Sequence, residues 1–213
     1  MNTRSHRFAI LPLLFLIALS GCAFSAAHVS PDYTPEAGKK SPLSTISPLA
    51  ISILVEDQRN PDERDRVGDK KNNFGSVTAK VLSDKEPTTI LYEALKAECE
   101  NNAHRIIKSE DGGADASIKI GLKRYWSDFA IHFFDIEMKG MLDTDIAILN
   151  GTDQNQLVSK PLNSTYRESR QMALDGAFES ALNGALLEFI RNFARDPSVL
   201  EALRSVALQK EKR

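Results

Sequence analysis

Cys22 is the residue whose surroundings specify a chemistry most sharply. It ends the run Leu19-Ser20-Gly21-Cys22, and its thiol is the group in that run able to carry a diacylglyceryl lipid. Ser20 and Gly21 are small, which gives a peptidase access to the bond before the cysteine. Upstream, Arg4 and Arg7 precede an apolar stretch from Phe8 to Leu19. That stretch is too short for a bilayer core, which takes about 20 apolar residues as a helix. A basic front, a short apolar core and small residues at its end are the parts of a secretory signal.

The Leu19-Ser20-Gly21-Cys22 run resembles the lipobox of bacterial lipoproteins. The resemblance implies cleavage before Cys22, lipidation of its sulfur and acylation of the new amino terminus. It makes Leu19, Ser20 and Gly21 the peptidase-recognition residues. Each buried methylene contributes roughly 0.8 kcal/mol, and stable anchoring takes more than one chain, which a multiply acylated (palmitate-type) Cys22 supplies. In such lipoproteins an Asp after the cysteine favours inner-membrane retention. This chain has Ala23 there, which implies the outer membrane, facing the periplasm.

The remaining residues of chemical interest are dispersed. His28, His104 and His132 lack metal-ligand spacing and read as surface histidines. Asp135, Glu137, Asp143 and Asp145 alternate along one strand and so line its solvent face. There is no Gly-x-Ser-x-Gly elbow and no phosphate-binding glycine loop. The sequence therefore predicts no enzyme, no cofactor and no metal. Net charge is −2, from 27 basic and 29 acidic residues, which leaves no electrostatic footprint for nucleic acid. Two groups stand as candidate partner-binding residues. Asp57, Arg59, Arg64 and Arg66 lie in a charge-dense loop over 57–75. Tyr125, Trp126 and Phe129 cluster at a strand connection, where they divide between packing and an exposed patch.

The elements that must position these groups follow from periodicity. Residues 22–48, punctuated by Pro31, Pro35, Pro42 and Pro48, read as a tether. Extended, that length reaches roughly 85 Å. Ala50 to Val55 reads as a strand with Ile51, Ile53 and Val55 inward. Thr88 or Thr89 caps a helix to about Ala103, whose face of Leu91, Leu95 and Cys99 makes Cys99 a packed, inert thiol. Ala116 to Leu122 alternates with period two. A longer alternation starts at Phe134, with a bend or bulge expected at Gly140. Asn150-Gly151 reads as a hairpin turn, and Pro161, lacking an amide donor, suits an edge strand or a bulge. Leu174 to Arg195 is an amphipathic helix carrying Phe178, Leu182, Leu186, Phe189 and Phe193. A short helix over Ser198 to Val206 follows, then a frayed, charged tail over 207–213. The predicted fold is a two-layer α/β sandwich of the α+β kind. A mostly antiparallel sheet carries two amphipathic helices on one face, over residues 49–206, behind a signal peptide at 1–21.

With its lipobox, Val29-Ser30-Pro31-Asp32-Tyr33, Val55-Glu56-Asp57-Gln58-Arg59, Gly68, Gly75, Tyr166-Arg167 and Gly176-Ala177-Phe178, the chain resembles the YajG family of uncharacterised bacterial lipoproteins. It departs from that pattern after the first helix, where Ala103-His104 replaces an expected glycine and aromatic residue. The resemblance implies an outer-membrane lipoprotein and offers no catalytic residues. The resulting expectation is a lipid-anchored, non-enzymatic interaction module of the cell envelope. Cys22 meets membrane lipid, and the domain meets an envelope protein or lipid component. The alternative is a lipid- or lipopolysaccharide-handling accessory of an envelope transport complex.

Overall fold

The computed structural model describes residues 25–72, 74–108, 112–131, 135–171 and 175–212. Leu19, Ser20, Gly21 and Cys22 lie outside the described residues, as does His132. Eight strands form one open sheet: β1 (Ala27–Val29), β2 (Ala50–Asp57), β3 (Gly68–Lys71), β4 (Val77–Ser83), β5 (Arg105–Ile107), β6 (Ala116–Ile131), β7 (Ile136–Asn150) and β8 (Gln156–Arg170). Among the described residues, three helices, α1 (Pro87–Asn101), α2 (Asp175–Arg195) and α3 (Pro197–Glu211), complete the mixed α/β fold.

β6 organises the sheet. Its whole length pairs antiparallel with β7, and β7 pairs antiparallel with β8. Its other edge is shared. β2 runs parallel beside residues 116–122, and β3 joins in parallel at Ser127. β5 extends the β2 branch in parallel, while β4 and then β1 extend the β3 branch. The expected period-two strands are present, with Ile118, Ile120, Met138, Leu142 and Ile146 buried. Alternation is the pattern of a sheet covered on one face only.

The bulge falls at Lys123, between Leu122 and Arg124 of β6, and not at Gly140. This extra residue slips the phase of β6. Leu122 and Tyr125, three positions apart, both face inward. Gly140 is instead a point of close approach. A Cβ there would lie 1.8 Å from the Ala181 carbonyl oxygen of α2.

The expected inner faces of both helices are buried: Leu91, Leu95 and Cys99 on α1, and Phe178, Leu182, Leu186, Phe189 and Phe193 on α2. Burial pushes the Cys99 thiol up to about 12, with the charges of Glu98 and Glu100 adding to it, as an inert, packed cysteine requires. α3 runs to Glu211, well past the expected Val206. Pro197 opens it at the first helical position, and Asp196 caps it by accepting from the Ser198 and Val199 amides at 3.0 and 3.2 Å. Most of the residues assigned to a charged tail therefore continue this helix.

The segment expected to be a tether is docked along its described part. β1 pairs with β4, a 3-10 turn spans Pro42–Thr45, and Val29, Leu43 and Ile46 are buried, as is Leu49 just beyond the segment. These apolar side chains are what a solvated linker would lack. His104, expected at the surface, is buried and holds this segment down. Its Nδ1 accepts from the Leu49 amide at 3.2 Å, which leaves Nε2–H to donate to the Leu43 carbonyl at 3.2 Å. Burial lowers its pKa, and the Leu43 carbonyl pulls the other way without prevailing.

The preceding residue explains the departure from the family pattern. α1 ends in a turn where the His104 amide bonds the Cys99 carbonyl and the Ala103 amide bonds the Glu100 carbonyl, at 3.1 Å each. That turn places Ala103 at φ 71°, the left-handed region that glycine takes without strain. Ala103→Gly is expected to stabilise the protein by about 0.5–1 kcal/mol, read as a rise in the urea midpoint. No change, or a fall, would contradict this account of the turn.

Candidate functional site

Between Asp57 and Gly68 the chain leaves the edge of β6 and returns to it. The Gln58 amide still bonds the Leu122 carbonyl, and the Val67 carbonyl accepts from the Ser127 amide. β2 and β3 thus lie along one edge of β6, with an excursion over 58–67 between them.

Arg59 braces that excursion from inside. It is 3% exposed. Its guanidinium pairs with Asp57, the closest contact being 2.8 Å, and donates to the carbonyls of Arg64 at 3.0 Å and Arg66 at 3.2 Å. The planar fork of arginine suits such a task, since several fixed acceptors are met at once. Burial works against the Asp57 charge. Hydrogen bonds from the Arg59 side chain and amide, with the charges of Arg59 and Arg64, outweigh it and hold the carboxyl below its usual range. Asp57 and Arg59 therefore shape the loop from within, while Arg64 is exposed on its outside.

Arg66 points to the uncovered face of the sheet. Its guanidinium lies 5.8 Å from the centre of the Trp126 ring, within the range of a cation–π contact. Its Nε is also 3.0 Å from Asp69 Oδ1, an ion pair whose angle is too poor for a hydrogen bond. Lys71 pairs with Asp128 at 2.6 Å and Lys80 with Asp65. Further along the same face, Arg124 pairs with Asp143 and Arg167 with Glu137.

The aromatic cluster is divided by its strand. Tyr125 is 2% exposed and donates to the Leu182 carbonyl at 3.3 Å. Phe129 meets Phe178 edge-on at 5.9 Å. Both face the helices. Trp126, between them in sequence, faces outward and is half-buried. The structure thus brings Arg66 to Trp126 on the uncovered face, leaves Arg64 exposed on the outside of the loop, and turns Arg59, Tyr125 and Phe129 inward.

A concavity of about 170 Å³ lies between the 33–42 segment and the helices α1 and α2. Two groups in its wall engage each other: Tyr33 donates to the Glu98 carboxylate at 2.6 Å. Asn102 donates to the other Glu98 oxygen at 2.9 Å, and its own side-chain oxygen accepts from the Ser41 amide. Burial and the bond to Glu98 both raise the Tyr33 pKa. Nothing in the sequence marks Glu98, because its partners come from a distant segment. Among the described residues there is no His, Cys, Asp and Glu grouping able to hold a metal ion, and no helix long and apolar enough to cross a membrane.

A family model described as an uncharacterized lipoprotein matches residues 36–204. Among solved structures, protein XCC0632 from Xanthomonas campestris is similar with a TM-score of 0.56 at 12% identity, covering 89% of this chain and 99% of that one. That likeness is one of fold. Lipoprotein GNA1162 from Neisseria meningitidis aligns at a TM-score of 0.36 and 13% identity, over 68% of this chain and 99% of that one. A minor lipoprotein from Acinetobacter baumannii aligns at 0.38 and 11% identity, over 70% and 92%. No curated protein matches the chain.

Proposed function

The chain belongs to this family of uncharacterized lipoproteins, and from that premise we propose that acyl chains on Cys22 hold it at the periplasmic face of the outer membrane. There it acts as a non-enzymatic interaction module for an envelope protein. The observation that carries the reading is Arg66 held over Trp126 on the uncovered sheet face. Tryptophan and arginine are the residue types that most often dominate protein–protein binding energy. Here they stand on a rigid strand and on a loop already ordered by Arg59, so association costs less ordering. The inward turn of Tyr125 and Phe129 leaves less apolar surface for lipid handling than the sequence suggests.

A photo-reactive residue at position 64 tests this in living cells. The expected result is one discrete, saturable adduct with an envelope protein, lost when Trp126→Ala is added. The same probe at position 208, exposed on α3, serves as control. The same adducts from both positions, or none from position 64, would count against the reading.

A further inference from the structure

β1 is short, but its direction is informative. It runs parallel to β4, with Ala27 beside Val81 and Val29 beside Ser83. Moving backwards along β1 is therefore moving backwards along β4, towards Val77 and the β3–β4 turn. Just before β1, the Ser25 carbonyl accepts from Lys70 Nζ at 3.1 Å. Lys70 lies on β3 opposite Ala79. Cys22 precedes Ser25 by three residues, so it is held within about 11 Å of it whatever path the chain takes.

The turn at this end presents apolar surface to water. Phe74 is 93% exposed and Val77 57% exposed, the former more than any other exposed large hydrophobic residue described. The turn's described residues are bonded to one another. The Asn72 side-chain oxygen accepts from the amides of Phe74 and Ser76 at 3.0 Å each, and Gly75 takes φ +79°. The phenyl ring is thus displayed on a shaped support. The charges beside it are paired within the protein, Lys71 with Asp128 and Lys80 with Asp65.

We propose that this turn is a membrane-contacting wedge: Phe74 and Val77 enter the boundary between lipid headgroups and acyl chains, next to the lipid on Cys22, and stand the domain on the membrane in one orientation. The inference rests on the acylated Cys22 proposed above. Because Lys71 and Lys80 are engaged within the protein, the contact is carried by the apolar side chains and does not depend on anionic lipid or low salt.

The test uses the acylated full-length protein carrying Phe74→Trp, reconstituted in phosphatidylethanolamine and phosphatidylglycerol vesicles with brominated acyl chains. The wild type, whose one tryptophan is Trp126, gives the background. F74W is expected to add a blue-shifted emission that brominated lipid quenches several-fold more strongly than the background, at low and at high salt. Protein that floats with the vesicles while the F74W indole stays solvent-like and unquenched overturns the wedge and leaves the anchor intact. A blue shift without quenching overturns it too, and assigns the turn to a protein surface. Failure of the protein to float at all removes the anchor, and the wedge falls with it.

Discussion

Gly140→Ala is expected to cost more than about 3 kcal/mol of folding stability, although it adds a single carbon. The new Cβ would lie 1.8 Å from the Ala181 carbonyl oxygen and 3.1 Å from the Ala185 Cβ. Backbone cannot rotate away as a side chain can, so α2 must lift from β7. Other contacts resist that movement. The Ser164 hydroxyl bonds the Ala185 carbonyl at 2.7 Å, and Tyr125 reaches the Leu182 carbonyl. Gly184 of α2 meets the sheet in the same way, since a Cβ there would lie 2.2 Å from the Tyr166 ring. For a domain of this size the loss corresponds to a fall of roughly 6–12 °C in melting temperature. Gly176→Ala, on the same helix with nothing near its Cβ, is the matched control and is expected to change stability by less than about 1 kcal/mol. Similar melting temperatures for the two variants would overturn this account of the helix–sheet contact.

Cys22→Ala is expected to abolish incorporation of labelled fatty acid completely, because acylation has no other attachment point in the signal-to-domain junction. The uncleaved signal of that variant could itself retain the chain at a membrane, so location needs a second form. In it, residues 1–22 are replaced by an unlipidated, cleavable secretory signal. Two or more acyl chains are what separates stable from reversible anchoring. Their removal is expected to shift nearly all of the protein into the soluble periplasmic fraction, with its melting temperature unchanged. Label surviving in Cys22→Ala would refute the anchor. A protein still sedimenting with membranes after the signal exchange would assign retention to a partner.

The difference between what could be read in the sequence and what could not has physical causes. Strands buried on one face write a period of two, and helices on the sheet write a period near 3.6, so β6, β7, α1 and α2 were legible from Ile118, Met138, Leu91 and Phe178. β1, β3 and β5 have three or four residues each. They are fixed mainly by backbone pairing, parallel for β1 and β5 and antiparallel to β4 for β3, and are too short to show a side-chain period. The bulge at Lys123 carries no glycine, yet its mark is present as the step from Leu122 to Tyr125. Glu98 and His104 look like surface residues because the hydroxyl and the carbonyl that satisfy them lie far away in the chain, and Arg59 because its nearby acceptors converge on it only once the loop has closed. In the candidate site, Trp126 and Arg66 were visible as residue types, but their pairing depends on how the 58–67 excursion closes. Val29, Leu43 and Ile46 of the supposed tether, all buried, were the available signal that it docks.

β8 forms one border of the sheet, and that border has a bearing on solubility. A strand of fifteen residues with an unpaired side is a template on which another chain can assemble. Pro161, paired with Asp145 near its middle, interrupts the row of amide donors. The cations along it, Lys160, Arg167 and Arg170, are each engaged by a carboxylate of the same molecule, Asp196, Glu137 and Glu168. A second molecule approaching this border would meet a gap in the ladder and long side chains already tied down, so β8 is a poor template for polymerisation.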